Sequence, residues 1–236
     1  MNKIKAVLFD LDGTLFQYLP TSGEVFLSHL RELGFHISEE DRIRAEHWVH
    51  FYFAHSDEIQ ADDREFGGDQ NGFWVNFTRR RLVAFGLSPA EAADLSPRFS
   101  AYMQQAYKPT VQVPENAHLL LELLKDAGYV LGMVSNREAP YLEDMQKQNL
   151  DSYFRFFLAG GEIKSFKPDP LIFEHALTMA GTSAQETMYV GDNYFADIVG
   201  ARGAGLVPVL YDPKRLFPEA DCAVIRCFSE LTDLLG

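Results

Sequence analysis

The chain has 236 residues, 47% hydrophobic and 23% charged, which is the balance of a folded protein whose core needs neither disulfides nor a structural metal. Its 34 acidic residues against 21 basic ones give a formal charge of −13. That excludes nucleic acid polymers and anionic membrane surfaces as partners, because both demand clustered positive charge, and it requires that an anionic substrate be met by cations placed locally.

The first element in chain order is a short apolar run over 4–9, broken by Lys5 and stopped by Asp10 and Gly13. Such a run bounded by a turn predicts a strand buried on both faces, as in a parallel sheet. From 17 to 109 only helical patterns follow, over 22–33, 39–55, 72–85 and 89–107, with 58–69 expected as a polar loop between them. Beyond that stretch strands and helices alternate. Strands are predicted over 129–134, 154–159, 187–190 and 206–210, with a weaker one at 223–225. Helices are predicted from Pro114 to Gly128, over 138–150, from Pro170 to Gly181 and over 194–204. The alternation predicts an α/β fold: an open parallel Rossmann-like sheet with helices on both faces, plus an inserted all-α cap domain. The expected division is 1–16 with 110–236 as the core domain and 17–109 as the cap.

Polar residues gather where the predicted strands end, the edge at which open parallel sheets bind ligands. Asp10 and Asp12 follow the first strand, Ser135 and Asn136 the second, Lys167 and Pro168 the third after a short loop, and Gly191, Asp192 and Asn193 the fourth, with Asp197 one turn on. Taken singly, Asp10 and Asp12 suit a turn, Ser135 and Asp192 a helix cap, and Lys167 a solvated loop. Their coincidence at four strand ends is what points to chemistry. Carboxylates converging from two strands make a hard oxygen site of the kind that suits magnesium, and a nearby lysine suits an anionic reacting group.

The segments Asp10-Leu11-Asp12-Gly13-Thr14-Leu15, Ser135-Asn136, Lys167-Pro168-Asp169 and Gly191-Asp192 with Asp197 resemble, in order, the four motifs of the haloacid dehalogenase-like (HAD) hydrolase superfamily, capped phosphatase subfamily. The likeness covers the whole chain, since the helical insertion matches the family's cap. The resemblance implies magnesium-dependent hydrolysis of a small phosphate monoester through a covalent aspartyl-phosphate. Asp10 is then nucleophile and metal ligand, and Asp12 is general acid and base, with its backbone carbonyl on the metal. Asp192 is a further metal ligand. Thr14, Ser135, Asn136 and Lys167 hold the substrate phosphate, and Asn193 and Asp197 support from behind. Asp12 and Asp192 together disfavour the family's dehalogenases, which lack an acid at the second position of the first motif. A phosphomutase shares every one of these residues, and a non-catalytic module binding a phosphorylated ligand or a protein is the alternative of a different class.

In the insertion, Trp74, Asn76, Arg79, Arg80 and Arg81 are candidate contacts to the leaving group, although Phe73, Trp74 and Phe77 also suit a cap core. His47 and His50 share a helix face but have no third ligand in view. Cys222 and Cys227 are expected as reduced, partly buried thiols. The first ten residues show no leader pattern and no run reaches the ~18 apolar residues of a membrane span, so a cytoplasmic protein acting on a small phosphorylated metabolite is expected. The patterns leave monomer or homodimer open.

Overall fold

The computed structural model describes residues 3–235. In chain order the elements begin with β1 (Ala6–Phe9), β2 (Gln17–Leu19), α1 (Ser22–Glu32), α2 (Glu39–Phe53), α3 (Asp57–Phe66), α4 (Gln70–Ala84) and α5 (Pro89–Ala106). There follow β3 (Thr110–Gln112), α6 (Ala117–Asp126), β4 (Val130–Ser135), α7 (Leu142–Lys147), β5 (Phe156–Ala159), α8 (Gly160–Ile163) and α9 (Pro170–Ala180). The chain ends with β6 (Thr187–Gly191), α10 (Gly200–Gly203), β7 (Val207–Tyr211), β8 (Ala223–Ile225) and α11 (Leu231–Leu235). Two compact units result. One joins the segment up to Gln17 to the chain from Gln112 onward, and the other is Tyr18–Val111.

The first unit is built on a six-stranded sheet in the order β5-β4-β1-β6-β7-β8, and every neighbouring pair is parallel. This is the expected Rossmann-like α/β fold. All four residues of β1 are buried, as a central strand covered on both faces requires. The register sets Ala6 beside Val130 on one side and beside Thr187 on the other. The sheet is therefore laid down outward from β1, first toward β5 and later toward β8. β1 sits at the reversal of strand order, where the loops that follow diverge and leave a crevice. Beneath it Leu8, Val134, Leu158, Ile172, Phe173 and Tyr189 share one core.

The second unit is helical, and each helix start is written in the sequence. Thr21 and Ser88 form capping boxes with Glu24 and Glu91, and Ser38, Ser56 and Asp69 each accept a hydrogen bond from the first turn of α2, α3 and α4. Phe26, Leu30, Leu82, Phe85, Leu95 and Phe99 form its core.

Several expectations are corrected. The polar stretch 58–69 is largely helix α3, because Ser56 caps it and a buried Asp62 is paired on its inner face. The helix expected over 138–150 is confined to Leu142–Lys147, and at its start Pro140 disfavours the helical conformation at the preceding Ala139. The helix expected from Pro114 starts at Ala117, behind Asn116 in the left-handed conformation. The one expected over 194–204 opens as a π-helical turn, Tyr194–Val199, before α10. β2 and β3, three residues each, pair with one another and were not visible as apolar runs. Cys222 is half buried as expected, but Cys227 is exposed. Trp74 is 43% exposed, unlike Phe77, but its ring packs edge-on against Phe73 and Phe77 at the margin of the expected cap core. Among the described residues no helix is long and apolar enough to cross a membrane.

Candidate active site

The site grows from the end of β1. Asp10 extends the ladder by one step, its N–H donating to the Val190 carbonyl at 2.9 Å. The chain then folds back on itself, with Gly13 N–H donating to Phe16 O and Phe16 N–H to Leu11 O, both at 2.8 Å. Gly13 has φ +100°, a conformation that L side chains rarely adopt, and a Cβ there would overlap the Asp192 carboxylate. Gly191, at the end of β6, plays the same part for Asp197, whose carboxyl group occupies the space a Cβ would need. Two glycines thus let carboxylates from two strands come together. Asp10, Asp192 and Asp197 each offer an oxygen, and the three lie within 4.8 Å of one another.

Lys167 ties this cluster from the opposite side of β1. Its ammonium, 2% exposed, lies 2.6 Å from Asp10 Oδ1, 2.7 Å from Asp197 Oδ1, 3.0 Å from the Tyr189 hydroxyl and 3.2 Å from the Val134 carbonyl. Asn136 fixes the lysine's backbone. Its Nδ2 donates to Lys167 O at 2.9 Å and its Oδ1 accepts from Lys167 N–H at 2.6 Å. Asp197 uses its other oxygen to accept from Asn193 N–H at 2.9 Å, and the Asn193 side chain caps the π-helical turn through Phe195 N–H and Ala196 N–H. Asp197 thus contacts Lys167 directly, and Asn193 is bonded to Asp197 and caps the turn.

Thr14 lies between the two strand ends. It is fully buried, and its hydroxyl stands between Asp10 Oδ2 at 3.0 Å and Asp192 Oδ1 at 3.3 Å while accepting from Asp192 N–H. It bridges the two carboxylates. Ser135 is buried, with its hydroxyl 3.4 Å from Asp12 Oδ2.

The electrostatics follow from burial. Desolvation raises the Asp10 carboxyl to about 7, and the neighbouring Asp197 and Asp12 add to the rise while Lys167 opposes it. Burial, then Asp10 and Asp197, hold Asp192 well above the carboxylate range. Burial alone would lower Lys167, but Asp10 and Asp197 keep it well above its ordinary value. The lysine is a fixed cation, and one positive charge does not offset the carboxylates around it. Hard oxygens crowded in this way can hold a metal ion.

Two residues of the site were missed in the sequence. Tyr189 lies inside a strand that reads as pure core, although a buried phenol that needs a partner was the available signal. Arg137, directly after Ser135 and Asn136, forks onto Asp12, with Nε to Oδ2 at 2.8 Å and Nη2 to Oδ1 at 2.7 Å. Being a cation inside the motif was its signal.

Residues 4–205 match the haloacid dehalogenase-like hydrolase family. The chain belongs to that family. It is 28% identical to the ribulose-1,5-bisphosphate 5-phosphatase of Halopiger xanaduensis, covering 98% of this chain and 99% of that one. It is 29% identical to the glyceraldehyde 3-phosphate phosphatase of Pyrococcus abyssi, covering 88% and 81%. Among solved structures, a 2-haloacid dehalogenase from Pseudomonas syringae shares 26% identity over 98% of both chains with a TM-score of 0.57. The family membership and the curated relatives make this hydrolase an enzyme of the family's phosphatase type.

Proposed function

We propose that this hydrolase cleaves a small phosphate monoester in a magnesium-dependent reaction, through a covalent aspartyl-phosphate on Asp10. The observation that carries the reading is the meeting of buried Asp10 and Lys167 with half-buried Asp192 at the reversal of strand order, with Asp12 two residues from Asp10. The donor set fits a magnesium ion: oxygen donors alone, with burial and mutual repulsion pushing two of the carboxyls toward their neutral forms for want of positive charge. Asp10, Asp192 and the Asp12 backbone carbonyl would hold the ion, whose charge would let an anionic carboxylate approach an anionic phosphate.

Asp10 attacks phosphorus, the bond to the ester oxygen breaks, and Asp12 gives its proton to the departing alkoxide. Asp12, now a carboxylate, takes a proton from water, whose oxygen attacks the same phosphorus. The bond to Asp10 breaks, and inorganic phosphate leaves. Lys167 stays protonated throughout and opposes the charge on the transferring group, and the Ser135 hydroxyl and the Asn136 N–H bind its oxygens. Asp12 and Asp192 also support phosphatase over dehalogenase chemistry. The helical insertion would serve as the family's cap for a small metabolite. The relatives' substrates, a ribulose bisphosphate and glyceraldehyde 3-phosphate, set the size class to screen.

The test is phosphate release from an aryl phosphate with magnesium, with chelator, and with Asp10→Asn. Release that needs magnesium and vanishes in the variant is the expected result. If turnover survives Asp10→Asn, the aspartyl-phosphate route is wrong. If magnesium-dependent beryllium fluoride binding occurs without turnover, the chain is a mutase or a binding module.

A further inference from the structure

Arg137, directly after Ser135 and Asn136, is held close against Asp12. The guanidinium pairs with both Asp12 oxygens through Nε and Nη2, while its Nη1 donates to Asp144 Oδ2 at 2.8 Å. Asp144 is in turn held by Lys147 at 3.0 Å. The guanidinium carbon lies over the rings of Phe16 and Tyr141, 5.8 Å and 5.6 Å from their centroids. The fork therefore sets the plane of this group, and the Asp144 pair and the cation–π contacts help hold its position. Asp12 cannot rotate about its own side-chain bonds without breaking two short charge-assisted hydrogen bonds. By contrast the Ser135 hydroxyl, at 3.4 Å, holds it weakly.

We propose that Arg137 is a positioning residue, which sets the plane of the Asp12 carboxyl group so that the oxygen position outside the fork, carrying the proton in the acid step and a lone pair in the base step, faces the ester oxygen and then the water. The inference rests on the acid and base role given to Asp12 above. It adds that proton delivery depends on a fork supplied by α7's neighbourhood as well as on β1. The consequence is selective. An aryl oxide leaves without much help from an acid, whereas an alkoxide needs the proton delivered in the transition state. Loss of the fork must therefore harm alkyl esters more than aryl esters.

The experiment compares kcat for 4-nitrophenyl phosphate and for a simple alkyl phosphate in the wild type, Arg137→Gln, Arg137→Lys and Asp144→Asn. The alkyl-to-aryl ratio of kcat is expected to fall about tenfold in Arg137→Gln, the usual size of a partly lost acid contribution. Arg137→Lys should recover little, since an ammonium cannot make the fork, and Asp144→Asn should show a smaller fall in the same ratio. Guanidinium ion added to Arg137→Gly should restore the ratio in part, which a merely structural role would not allow. Equal loss on both esters, or an unchanged ratio, overturns the inference and leaves the phosphatase reading standing. A wild type inactive on both esters under magnesium sinks that reading, and this inference with it.

Discussion

At the scale of single residues, the site is a problem of room and charge. Gly13 has both a left-handed φ and a carboxylate in the place of its missing side chain. Gly13→Ala should therefore displace Asp192 and weaken magnesium binding by at least tenfold, the loss that typically follows displacement of a metal-site carboxylate or its support, as titration calorimetry would measure. Retained affinity would show that the loop adapts. The carboxyls also tie stability to pH. Asp10 is raised from 3.8 to about 7, so between those values the folded chain keeps a proton that the unfolded chain has lost. Stability from this group is present at low pH and falls as pH rises toward 7, and Asp192 acts in the same direction. The high value of Lys167 acts only above its ordinary range, outside this window. Magnesium relieves the repulsion, so the rise in Tm on replacing chelator with magnesium should be larger at about pH 8 than at about pH 5, because a metal must displace protons from its ligands at the lower value. A rise independent of pH would contradict the placement of the ion on these carboxyls.

At the scale of elements, what could be read in the sequence depended on how much of an element's stability is local. β1 and β6 are nearly pure apolar runs that end at an aspartate, so both the strands and the site residues beyond them were legible. α3 was not, because Asp57–Phe66 carries charge on most positions and owes its place to tertiary pairing. Asp62, fully buried, accepts from the Tyr52 hydroxyl at 3.0 Å and from Arg80 Nη2 at 2.9 Å, and Arg80 reaches Glu58 on the same helix. Of the arginines offered as leaving-group contacts, Arg80 pairs with α3, and Arg79 bonds the Asn76 side chain at 2.7 Å within α4. Arg81 is buried against the Phe26 ring, 4.5 Å from its centroid. The sequence shows a run of like charges, but it does not show that each side chain has a different partner. Asp62→Ala leaves a buried phenol unpaired, while Arg80, partly exposed, can turn to water. A loss of about 2 kcal/mol in the helical unit follows, measurable by urea denaturation. A loss under about 0.5 kcal/mol would mean that the network is decorative.

At the scale of the whole molecule, a formal charge of −13 stands against an anionic substrate. The attraction comes from Lys167, which is buried, and from Arg137, which is half buried and paired to Asp12 and Asp144. These two ranges respond differently to salt. A field summed over the whole surface is cut to about 8 Å at physiological ionic strength, whereas contacts inside a buried site are screened far less. Salt should thus remove long-range repulsion and leave the local attraction in place. At fixed free magnesium, kcat/KM for a dianionic ester is expected to rise about twofold as sodium chloride increases from about 0.01 M to about 0.15 M, with kcat nearly constant. A fall over the same range would show that cations near the entrance outweigh the net charge and steer the substrate in, and the acidic composition would then have no bearing on encounter.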